Sequence, residues 1–185
     1  PGGELSPTAV SYSGPATLTE STLVTARARG ENGDWSAKVD TVFYTDMPLR
    51  VTELMYNPAA PAEDSPFRRR EFEFIELQNV SANQIDLTGV RFVEGIEFDF
   101  TESAVTELAP GEMVVLVEDI EGFASRYDLA RVLVAGEYSG ALSDGGERIT
   151  IRGHLDEPIL DFEYVDTWHP ETDGEGTSLV IVDAL

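Results

Sequence analysis

The sequence predicts an all-β protein: an antiparallel β-sandwich with one short helix, preceded by a small N-terminal β segment. Three observations carry that expectation. From Leu49 onward, short apolar runs follow one another every 8–20 residues, with Gly, Pro, Asn or Asp between them. Within the later runs the period is two: Ile149 and Ile151 alternate with Arg148, Thr150 and Arg152, and Leu160, Phe162 and Tyr164 alternate with Asp161 and Glu163. Such strands bury one face and wet the other. Residues 119–127 alone break the β pattern in this region with helical chemistry.

Taken in order, residues 22–29 set Leu23, Thr25, Arg27 and Arg29 against Thr22, Val24, Ala26 and Ala28, a half-buried strand. The ENGD turn at 31–34 then leads into Trp35 and a strand over 39–44. Two strands and a stub fold poorly alone. The TDMP segment at 45–48 marks a boundary, because Pro48 discourages continuous pairing. Beyond it, strands are expected over 49–56, ending at Asn57-Pro58, and over 71–78, after a broken polar loop at 58–66. Residues 90–93 and 96–100 flank Gly95, and 113–118 follow the Pro110-Gly111 turn. Residues 131–135, 148–152, 159–165 and 177–182 complete the set. In the helical stretch Asp119 serves as N-cap, Glu121 places negative charge in the first turn, and Phe123 and Tyr127 share a face four residues apart. Gly122 weakens that helix in isolation.

The 185 residues suit one domain, or one domain with a small companion, and 42% hydrophobic content is enough for a core. The chain starts at Pro1 without an initiator Met or an apolar leader, so it reads as a piece of a longer polypeptide. No apolar run approaches the ~18 residues that span a bilayer, so no membrane insertion is expected of this segment. Charge is the extreme property: 12 Lys and Arg against 35 Asp and Glu give −23. Residues 49–185 hold 29 of the acids and 9 of the bases, and residues 94–121 carry nine carboxylates with no Lys or Arg. That field repels phosphates, which argues against nucleic acid, and it reads first as a solubilising surface. The absence of cysteine removes disulfides, thiolate zinc sites and thiol nucleophiles.

Several signposts occur in a characteristic order: Glu53 with Asn57-Pro58; Phe74, Glu76 and Asn79; Asp86-Leu87 and Gly89; Pro110-Gly111; Asp144-Gly145; then Trp168, Pro170, Asp173-Gly174 and Ser178-Leu179. On these, residues 48–185 resemble a lamin-tail domain of the bacterial type. The resemblance implies an immunoglobulin-like sandwich, a helix after the strand that follows the LAPGE turn, and an extracellular or cell-surface setting. Residues 12–36 are similar to the closing half of a chitobiase C-terminal-like repeat, also called a fibronectin type III-associated repeat, so residues 1–47 read as a partial β module or as a β arm. Filament assembly does not carry over, since no a/d heptads precede the domain. Chromatin association does not either, because Arg68, Arg69 and Arg70 form the one basic cluster and lie beside Glu71 and Glu73. They read as edge charges and loop anchors.

No catalytic constellation is legible. His154 and His169 are the only histidines, and neither an HExxH spacing nor a nucleophile elbow occurs. Of Glu53, Glu73 and Glu76, Glu76 shares a strand face with Phe74 and Glu53 one with Val51 and Met55, so either of those two is read as a partly buried carboxylate that holds turns by accepting hydrogen bonds. With no catalytic site legible, the resemblance implies a non-catalytic interaction, adhesion or spacer module of an exported multidomain bacterial protein, with a protein or a cell-surface glycan as partner. Phe67 and Trp168 are its candidate contacts, on the loops 57–70 and 167–176. A carbohydrate-binding accessory domain of a secreted hydrolase, with Trp168 or Trp35 stacking on sugar, is the alternative, and a nucleic-acid-associated module ranks third. No cofactor is expected. Calcium is the one candidate ion, at the oxygen-rich turns holding Asp144 and Glu147 and holding Asp173 and Glu175.

Overall fold

The computed structural model describes residues 6–183 and divides into two compact units, Pro1–Asp46 and Met47–Leu185. In the first, β1 (Thr22–Ala26) and β2 (Val39–Phe43) form an antiparallel pair with Thr22 opposite Phe43, and a bridge joins Arg29 to Trp35. The turn between them is closed by the Gly30 amide on the Asp34 carbonyl. Leu23, Val39, Phe43 and Tyr44 are exposed.

The second unit is an all-β sandwich. Its strands are β3 (Leu49–Met55), β4 (Phe74–Asn79), β5 (Ile85–Asp86), β6 (Arg91–Glu94), β7 (Ile96–Asp99), β8 (Glu107–Leu108), β9 (Met113–Val117), β10 (Val134–Glu137), β11 (Ser139–Gly140), β12 (Gly146–Arg152), β13 (Pro158–Val165) and β14 (Leu179–Val180). One sheet runs β10-β9-β4-β3-β14 and the other β11-β7-β6-β12-β13, while β5 and β8 pair separately. Leu54, Ile75, Leu77, Val114 and Leu116 from the first sheet meet Phe92, Ile96, Ile149, Ile151 and Tyr164 from the second in one core. Removing such side chains from water is what holds two sheets together, at about 1.5–3 kcal/mol for each fully buried large residue.

Among the described residues every strand pairing is antiparallel except one: β10 runs parallel to β9. A parallel neighbour requires a crossover, and the crossover contains α1 (Ile120–Ala124). The helix covers the outer face of the first sheet, where Met55, Phe74, Val115, Val117 and Phe123 form a second apolar cluster. This explains why Val114–Val117 is apolar at each position: Val114 and Leu116 face the main core, and Val115 and Val117 face the helix. Asp119 caps α1 by accepting from the Gly122 amide at 2.6 Å, and Phe123 stacks on Tyr127 with ring centroids 4.5 Å apart.

Three expected strand boundaries are corrected. Residues 71–73 do not begin β4, because Arg69–Phe72 is a 3-10 turn in which the Glu71 carboxylate accepts from the Arg68 amide and guanidinium. That local carboxylate–amide closure outcompetes the sheet ladder. The strand expected over 131–135 lies at Val134–Glu137, where partnership with β9 sets it, and the one expected over 177–182 shortens to Leu179–Val180.

Candidate interaction groove

The two sheets leave an open flank where β3 and β14 of one face β13, the last strand of the other. Tyr164 of β13 is fully buried against Tyr56, with centroids 5.0 Å apart, but Leu160 and Phe162 are only half covered. The result is a groove of about 540 Å³ walled by Val51, Leu54, Leu160, Phe162 and Leu179, with Trp168 and His169 at one side. Trp168 ends the 3-10 turn Asp166–Trp168 and is 54% exposed. Its surroundings combine an apolar floor with a wet rim, the usual make-up of a recognition site.

The Trp168 loop is held by a clasp built on Asn57. Its side-chain amide donates to Asp173 Oδ1 at 2.6 Å, its side-chain oxygen accepts from Arg69 at 3.0 Å, and its backbone carbonyl accepts from the Gly174 amide at 3.0 Å. Tyr56 and Thr172 share a hydroxyl–hydroxyl bond of 2.8 Å beside it. Sequence positions more than a hundred residues apart are thus joined by short bonds, which tie the loop following Trp168 to the end of β3.

Charged groups near the groove are largely occupied. Arg50 donates to the Met47 and Leu49 carbonyls, and Glu53 accepts from the Ser178 hydroxyl. Glu53 lies directly across from Glu76, which accepts from Thr52 Oγ1 at 2.7 Å. Burial, followed in smaller measure by the nearby Glu53 charge, pushes the Glu76 carboxyl above the ordinary range.

Among the other candidate residues, Phe67 lies outside the groove, with its ring edge-on to Phe72 at 6.0 Å. Asp173 belongs to the Asn57 clasp and Glu175 is exposed. Asp144 is exposed, whereas Glu147 turns inward to accept from the Ser143 amide at 2.7 Å and from the Tyr164 hydroxyl at 3.2 Å. Among the described residues, no group of three His, Asp or Glu side chains is placed to hold a metal ion. Trp35 is 37% exposed, and the guanidinium groups of Arg27 and Arg29 lie 4.7 and 5.6 Å from its ring centre. The three arginines of the basic cluster anchor loops: Arg68 pairs with Glu71 at 2.7 Å, Arg69 binds Asn57, and Arg70 pairs with Glu118 at 2.9 Å. The groove residues Val51, Leu54, Leu160 and Phe162 are legible in the sequence as core positions only. Alternation reports which way a side chain points, not that its strand lies at an open edge.

Comparison with protein-family models, with curated proteins and with solved structures finds no match for this chain.

Proposed function

We propose that the chain is a non-catalytic recognition module of the lamin-tail type, working outside the cell as part of a larger bacterial protein and binding a protein partner through the groove beside β13. The single observation behind this reading is a half-exposed tryptophan at the side of an apolar groove, on a loop clasped by Asn57. Aromatic anchors of this kind dominate binding energy at protein interfaces. The −23 charge supports a protein rather than a nucleic-acid partner.

The exposed Trp168 indole also favours a second reading, stacking on a sugar ring. Trp35 supports it less, since arginine side chains lie against its ring. Screening the intact chain and its Trp168→Ala variant on a displayed-peptide library and on a glycan array separates the two. Peptide binding that weakens at least about tenfold in Trp168→Ala upholds the protein reading. Signal confined to glycans replaces it with the sugar reading, and binding indifferent to Trp168→Ala overturns the groove as the site.

A further inference from the structure

The chain passes from one sheet to the other between β10 and β11, with Tyr138 as the single residue between them. One carboxylate sits beneath that corner. Glu73 is 2% exposed, and its backbone is fixed to the first sheet, since its carbonyl accepts from the Glu118 amide at 3.1 Å. Its side chain reaches across to the corner, where Oε2 accepts from the Leu142 amide at 2.8 Å and from the Tyr138 hydroxyl at 3.3 Å. On the far side Glu147 performs a similar service for the Ser143 amide. The segment 138–143, including β11 and its pairing with β7, is thus moored by two carboxylates.

We propose that Glu73 is a pH-operated latch on this sheet-crossing corner: its neutral form keeps residues 138–143 closed on the core, and its ionised form favours their release to water.

The geometry supplies the reason. Two donors offset only part of the cost of burying a negative charge, and none of the ion pairs among the described residues involves Glu73. Tyr138 faces it from the corner, Glu118 from just past the end of β9, Asp144 from the following turn and Tyr164 from β13. Arg70, three residues before Glu73, is paired with Glu118. Burial pushes Glu73 up to about 7, against the lowering effects of the Leu142 amide and the Tyr138 hydroxyl, and the Glu118 and Asp144 charges add to the rise. In an opened segment the carboxyl returns to its ordinary value near 4.5. The closed state therefore binds the proton more tightly. Closure is favoured at acid pH, and that advantage is lost as pH rises from about 4.5 through about 7.

Amide hydrogen exchange on the intact chain tests this, once rates are corrected for the intrinsic pH dependence of exchange. Protection of the 138–143 amides is expected to fall on the order of tenfold between pH 6 and pH 8, with central β4 and β9 unaffected. Glu73→Gln should remove that pH dependence. A parallel carbon-13 titration of the wild-type glutamate carboxyls needs no variant and should find one that titrates near neutrality. A Glu73 carboxyl titrating in the ordinary range overturns the latch. So does a pH profile unchanged in Glu73→Gln, or loss of protection spread evenly over the whole core.

Discussion

Asn79 concentrates more structural work than any charged residue of the sandwich. It is completely buried at the end of β4; its amide group donates to the carbonyls of Asn83, Leu108 and Ala109 at 2.7–3.1 Å, and its oxygen accepts from the Ser81 amide and hydroxyl. The side chain therefore ties its own turn to the strand that leads into the Pro110-Gly111 turn. An Asn79→Ala substitution strands the buried Leu108 carbonyl and removes the part-buried bonds to Ala109, Asn83 and Ser81, and an unmet buried group costs about 1–3 kcal/mol while each part-buried bond adds about 0.5–1.5 kcal/mol. Urea unfolding of the variant is expected to show a loss on the order of 3 kcal/mol, and a loss below about 1 kcal/mol would mean that water replaces the side chain. The role as a turn-closing asparagine is legible in the sequence from residue type alone. Its reach to residues 108 and 109 is not, because that depends on which strands become neighbours. The same holds for Asn57 and Asp173, each a local turn former by residue type that the fold instead uses on the other.

At the scale of elements, the helix beside β9 shows where sequence chemistry suffices and where it stops. The Asp119 cap and the Phe123–Tyr127 face follow from spacing, and both occur as expected. Gly122 has a different meaning from the one propensity assigns. A Cβ there would lie 2.3 Å from the Glu71 carbonyl oxygen, so the glycine permits the helix to touch the turn before β4. Alanine is the better helix former by about 1 kcal/mol, yet Gly122→Ala is expected to lower the thermal midpoint, with a net loss of about 1–3 kcal/mol from the forced separation. A raised midpoint would show that helix and turn do not need that contact. The parallel β9–β10 pair is hidden from the sequence for a related reason. A continuous apolar run such as Val114–Val117 says that both faces are covered, but not by what, and an antiparallel hairpin and a helical crossover leave the same trace. Likewise the Glu71 turn imitates a strand, because its carboxylate alternates with Phe72 as a strand residue would.

For the molecule as a whole, self-repulsion is the chief electrostatic influence on stability. The charge of −23 is met by ion pairs that are mostly solvent-exposed, such as Arg148–Asp161 and Arg91–Asp156, and these contribute little. Raising sodium chloride from about 10 mM to about 500 mM shortens the Debye length from roughly 30 Å to below about 8 Å. The thermal midpoint is expected to rise by on the order of 3 °C, whereas a falling midpoint would mean that the ion pairs outweigh the repulsion. The all-β architecture is readable because alternation and turn residues agree over most of residues 49–185; the location of the groove is not, since it follows from which strand ends each sheet. The pairing of β14 with β3 has one last consequence. The two strands are adjacent and antiparallel, with Val180 opposite Glu53 and the Ile181 amide on the Thr52 carbonyl, so residues 49 and 181 emerge from the same end of the sandwich. Tension applied at those two points would peel β14 away one bond at a time instead of shearing a whole ladder, so the unit would yield easily to a pull at that end.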